Sequence, residues 1–153
     1  MNRGRIYYTL YGRLLEEKAL NRAFKKVKSA NGSAGVDGQS IKDFSQELEG
    51  NVRQLQKELK DKSYVPLPVL RVEIKKEDGG TRKLGIPAVR DRVVQQAMLD
   101  ILQPIFEEDF HPSSYGYRPG RSCHQAITKS EQFIRRYDLD HIVDMDLSKS
   151  FNN

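Results

Sequence analysis

Between Leu70 and Ile86 the chain alternates apolar and charged residues on both sides of a turn, and no other stretch constrains the fold as tightly. Leu70, Val72 and Ile74 alternate with Arg71, Glu73 and Lys75. Glu77-Asp78-Gly79-Gly80 then turns the chain, and Thr81 to Ile86 brings it back. A period of two bounded by a glycine turn specifies a β-hairpin, here over 69–86. Side chains alternate across a strand, so Lys76 shares the parity of Val72 and Ile74, and Arg82 that of Leu84 and Ile86. Both cations near the tip then lean toward the apolar face and the protein's own cleft. A compact ammonium beside a planar guanidinium suits a triphosphate. The plainer reading is a solvated hairpin tip, where such cations are ordinary.

The flanking sequence is helical in period. Leu20, Ala23, Phe24 and Val27 make one stripe of a first helix over Leu10 to Val27. Its polar face is basic: Arg13, Arg22, Lys25 and Lys26 belong to a run from Arg3 to Lys28 whose only acids are Glu16 and Glu17. Ser29 to Gly38, rich in Gly, Ser and Asn, is a loop. Ser40 with Asp43 resembles a capping signal for a second helix carrying Phe44, Leu48, Val52, Leu55 and Leu59, which ends before Pro66 and Pro68. A third helix over 89–103 carries Val93, Ala97 and Ile101, and Pro104 is expected to kink or end it. In the irregular loop His111 to Arg121, Tyr115, Arg118 and Arg121 mix rings with guanidinium groups, as a nucleic-acid surface does. Alternatively its tyrosines cap a core. A last helix over 122–137 opens at Ser122, with Gln125 answering.

The end of the chain, HIVDMDLSKSFN from His141, has strand character. Val143, Met145 and Leu147 would share one face and Asp144 and Asp146 the other, so a buried strand would present carboxylates to a cleft. Solvated aspartates on an ordinary strand would look the same. With 26 Lys+Arg against 21 Asp+Glu the net charge is +5 and the isoelectric point about 9.3, which suits a polyanionic partner. The single cysteine, Cys123, rules out an internal disulfide and a Cys-pair zinc site. No apolar run is long enough for a membrane span or a secretory segment, and the expectation is a cytoplasmic protein.

Four blocks then stand in a telling order: GVDG at 35–38, YVPLPVLRVEIKKEDGGTRKLGIPAVRDRVVQQA at 64–97, SYGYRPGRSCHQA at 114–126 and VDMDLSKSF at 143–151. Together they resemble the amino-terminal part of bacterial group II intron reverse transcriptases, over nearly the whole chain. The resemblance implies an α+β fold: helix-rich fingers over 1–140 with the β-hairpin, then the first strand of an incomplete palm at 141–153. It implies RNA-directed DNA polymerase activity through two Mg²⁺ ions in the full protein, with dNTP, DNA primer and RNA template or intron RNA as partners.

It also implies roles for particular residues. Asp146 matches the first catalytic, metal-binding aspartate, with the carbonyl of Leu147 as a further ligand, while Asp144 matches no catalytic position. Phe151 matches the aromatic residue that excludes a ribose 2′-hydroxyl. Lys76 and Arg82 match the cations that hold the triphosphate, with Arg71 assisting. Lys75 stands where the family usually has proline and is an alternative to Lys76. Asn152 replaces a frequent aspartate. The family's later Tyr-Ala-Asp-Asp carboxylates are absent from these 153 residues, so the expectation is a truncated chain without polymerase activity of its own. The alternative function is a fingers module that binds intron RNA or template without catalysis. An isolated terminal strand is expected to fray or to self-associate.

Overall fold

Leu14 and Leu20 explain the first departure from the expected pattern. Six residues apart on one continuous helix, they would point about 120° away from each other. Both are nevertheless buried. The chain resolves this by breaking: α1 spans Leu10–Leu14, Glu16 is extended with ψ at 124°, and α2 spans Glu17–Ala30. The side chains of α4 (Leu48–Lys60) and its neighbours hold the break, since Gln56 Nε2 donates to the Leu15 carbonyl at 2.7 Å and the Tyr11 hydroxyl to the Leu59 carbonyl at 2.5 Å. The single helix expected over Leu10 to Val27 is therefore two.

This computed structural model describes residues 9–75, 77, 79–139 and 141–146. They fall into two units, Met1–Glu108 and Asp109–Asn153. In the first, α3 (Ile41–Gln46) opens with a full capping box: the Asp43 amide donates to Ser40 Oγ at 3.1 Å, and the Ser40 amide to Asp43 Oδ2 at 3.0 Å. The hydrogen bonds from Ser40 hold the Asp43 carboxyl below its ordinary range. The expected second helix also breaks, at Glu47, where the Asn51 side-chain amide donates to the Phe44 carbonyl. α5 (Val89–Glu107) runs past Pro104. Proline there removes one hydrogen bond, to the carbonyl of Asp100, near the helix end. Asp100 lines an open cleft where water can serve instead. The helix expected to stop at 103 gains a turn.

One core joins these helices. The α2 stripe of Leu20, Ala23, Phe24 and Val27 meets Ile41 and Phe44 of α3, Val52, Leu55 and Leu59 of α4, and Val89, Val93, Ala97 and Ile101 of α5. Phe24 and Phe44 stack at its centre, with ring centroids 5.2 Å apart. The GVDG segment is a turn closed by the Gly38 amide on the Gly35 carbonyl, and Gly38 has φ +68°. A Cβ at Gly35 would lie 2.5 Å from Ala88 Cα and 2.6 Å from Ala88 N. Only glycine lets this turn press against the residue before α5.

The hairpin consists of β1 (Leu70–Lys75) and β2 (Thr81–Ile86), antiparallel, with Val72 opposite Leu84, Ile74 opposite Arg82 and Lys75 opposite Thr81. Every residue of it is exposed except Ile86, which is intermediate. It packs into no core of its own.

In the second unit α6 (Cys123–Tyr137) starts with the expected Ser122–Gln125 capping box and buries no residue. The terminal strand is not formed at 141–146, which adopts neither helix nor strand. A strand needs a partner for its backbone N–H and C=O groups, and the hairpin is the only sheet among the described residues. Ile142, Val143 and Met145 are exposed along with Asp144 and Asp146, so no buried face is made there.

Candidate nucleic-acid interface

Packing α2 against α5 leaves an open cleft of about 580 Å³ beside the core. Arg13, Arg22, Lys25 and Lys26 all line it, with Ala19, Ala97 and Ile101 as apolar floor and Glu16, Asp100, Gln103 and Pro104 completing the wall. Four residues that the sequence supplied only as a basic helix face thus become one site. Four cations against two carboxylates leave it two positive charges in excess. The excess is unevenly placed. Lys26 Nζ sits 2.8 Å from Asp100 Oδ1, which also accepts from Gln96 Nε2 at 2.7 Å. Arg13, Arg22 and Lys25 are exposed and stand ready for phosphate.

The hairpin register divides its cations. Arg82 lies across from Ile74, on the face of Val72 and Leu84, as parity required. Arg71 and Lys75 lie on the opposite face, together with Lys83, which faces Glu73 across the strands. Lys76 lies outside the described residues, as do Leu147 and Phe151.

The sequence reading missed the acid that fixes the approach to the hairpin. Asp91, on the first turn of α5, is 1% exposed and accepts the Tyr64 hydroxyl at 2.6 Å and the Leu67 amide at 3.0 Å. Beside it, Arg90 pairs with Glu58 and lies over the Tyr64 ring, 5.4 Å from its centroid. Burial, followed by the bond to Asp91, pushes the Tyr64 hydroxyl far up. For Glu58, burial acts upward but is outweighed by the hydrogen bonds from Gln54 and Arg90, so its carboxyl titrates below the ordinary 4.5. A depressed carboxyl stabilises the fold above its unfolded value and loses that contribution as pH falls through the folded one. Glu58→Gln is accordingly expected to cost stability at pH 7 and progressively less below about pH 4.5. Urea midpoints for both proteins at pH 7 and 3.5 check this, and an unchanged gap would contradict it.

In the second unit Tyr115, Arg118 and Arg121 do share one loop, but two of its cations are engaged within it. Arg118 donates to the carbonyls of His111 at 2.9 Å and Ser114 at 2.8 Å and lies 5.1 Å from the Phe110 ring centroid. Arg121 lies 5.5 Å from that of Tyr115. Arg118 is first a staple of the loop. Tyr117, with φ +55°, is the ring fully exposed to solvent.

The family model for reverse transcriptase (RNA-dependent DNA polymerase) matches residues 74–153, just over half the chain, taking in β2, the 111–121 loop and α6. The chain belongs to the reverse transcriptase family. Its relatives include Protein YkfC of Escherichia coli, 50% identical over 93 residues, which are 61% of this chain and 24% of that protein. The group II intron-encoded protein LtrA of Lactococcus lactis is 35% identical over 125 residues, 80% of this chain and 20% of LtrA. The putative COX1/OXI3 intron 2 protein of Saccharomyces cerevisiae is 30% identical over 134 residues, 85% of this chain and 15% of that protein. The chain thus spans at most about a quarter of the length of these relatives.

Reverse transcriptases act on nucleic acid and generally use divalent metal ions, and the α+β architecture agrees with the family. The described residues do not themselves make a metal centre: no three His, Cys, Asp or Glu side chains among them come together. Asp146 and its neighbour Asp144 are exposed on the 141–146 segment. Among the described residues no helix is long and apolar enough to cross a membrane.

Proposed function

We propose that this chain is the fingers portion of a group II intron-type RNA-directed DNA polymerase, in which the α2–α5 cleft holds RNA and the hairpin holds the triphosphate of the incoming dNTP. The observation that carries the reading is the cleft, where Arg13, Arg22, Lys25 and Lys26 converge over an apolar floor on a member of the reverse transcriptase family. Exposed cations at that density suit a single strand's phosphates, and the floor suits its sugars or bases. RNA template or intron RNA is the proposed occupant, with a DNA primer as its partner in the complete enzyme. A cytoplasmic location fits that role.

Arg82 is the proposed triphosphate ligand among the described residues, joined by Lys76, with Arg71 and Lys75 reaching from the other face. Asp146 is the proposed catalytic donor to a divalent cation, magnesium in this reading, with the Leu147 carbonyl beside it and Phe151 against the sugar. Tyr115, Arg118 and Arg121 form a second proposed contact with the template strand, and self-association through the 141–153 segment remains a proposed partner mode. A charge-assisted hydrogen bond is worth about 1.5–3 kcal/mol. Arg82→Ala should therefore weaken binding of a fluorescent dNTP by about 10- to 100-fold, with RNA affinity unchanged. Equal nucleotide affinity in the two proteins would remove the hairpin from the site.

A further inference from the structure

We infer that Asp91 is a positioning residue for the nucleotide-binding hairpin, an inference that rests on the reading of the hairpin as a triphosphate grip. The hairpin is exposed along both strands, so packing does not set its direction. Its direction is set where it joins the helices. One root is Pro87-Ala88, which leads directly into α5 and has Ala88 fully buried against the Gly35 turn. The other root is the segment from Ser63 to Val69, which has no regular structure. Pro66 and Pro68 stiffen this strap and leave it without their two amide donors. The donor between them, Leu67 N–H, goes to Asp91 Oδ2, and Tyr64 at the start of the strap goes to Oδ1. A single carboxylate on the first turn of α5 thus ties the entering root to the helix from which the leaving root emerges.

The arrangement works as a lever. Six residues of strand extend about 20 Å. A 10° change at the root then moves the tip by roughly 3–4 Å, by this strand length. Misplacement of a reacting group by about 1 Å can cost about 100-fold in rate. Burial of an acid at 1% exposure is costly unless its bonds are made, so the tie is either fully formed or lost. Asp91 does not touch the nucleotide. It acts through the strap.

The test uses the 153-residue chain with Cys123→Ser and nitroxide labels at Glu73→Cys, on β1, and Lys57→Cys, on α4. Tyr64→Phe removes one bond while keeping the ring, and Asp91→Asn sets an amide donor against one of its two donors. Both should broaden the label-to-label distance distribution at temperatures where unfolding is absent. Both should also weaken fluorescent dNTP binding by about tenfold and leave RNA affinity in the α2–α5 cleft unchanged. An unchanged distribution, even with a lowered thermal midpoint, would make Asp91 merely structural and overturn the inference. If the parent binds no nucleotide while the distribution still broadens, the triphosphate reading fails and the positioning stands.

Discussion

Phe44→Ala is expected to cost the helical unit a large part of its stability. Phe44 is 1% exposed and stacks on Phe24 with an interplanar angle of 27°, so its ring joins α3 to α2 at the centre of the core. Removing a buried phenylalanine costs about 3–5 kcal/mol, transfer and cavity included. Domains of this size have only about 5–15 kcal/mol in total. The location adds to the loss. α3 is six residues long, too short to persist without its packed face, and Asn51 holds the break between α3 and α4 through the Phe44 carbonyl. The comparison is Phe106→Ala, on a ring 54% exposed in α5, which should cost no more than about 0.5 kcal/mol. Urea unfolding followed by circular dichroism separates the two. A loss at Phe44 no larger than that at Phe106 would mean that α3 does not seal this core.

What the sequence made legible was local. Ser40 with Asp43 and Ser122 with Gln125 announce capping boxes because each box lies within four residues, and both are present. The stripe from Leu20 to Val27 and the hairpin register follow from periods of 3.6 and 2 that need no knowledge of the partner. The break at Glu16 was hidden because its causes lie far along the chain: Gln56 reaches Leu15 across 41 residues and Tyr11 reaches Leu59 across 48. Asp91 was hidden for the same reason. In the run RDR it looks like one more helix-start acid, and only Tyr64 and Leu67, folded over it, show that it is buried. The terminal segment is the opposite case, since its alternation is clear, but no neighbouring strand among the described residues lets 141–146 act as one.

The cleft was half legible, and that half yields the sharpest binding test. The basic face of α2 could be read from sequence, whereas the α5 wall, with Asp100 cancelling much of Lys26, could not. If all four cations meet phosphates of a single strand, the log–log salt slope is about −0.7 for each, or roughly −2.8 together. Raising salt from 50 to 200 mM should then weaken RNA binding about 50-fold by that slope. The triple variant Arg13→Ala, Arg22→Ala, Lys25→Ala should fall to a slope of about −0.7, losing only two- to threefold over the same range. Lys26→Ala should matter no less than any one of these, because it also leaves Asp100 without its cation. The reverse change is more telling. Asp100→Asn frees Lys26 from its 2.8 Å ion pair while keeping a partner for Gln96, so RNA affinity should rise. Its salt slope should stay near the parent's, because the same four cations meet phosphate. Weaker binding in Asp100→Asn, or a parent slope that the triple variant leaves untouched, would place the RNA on some other face of the molecule.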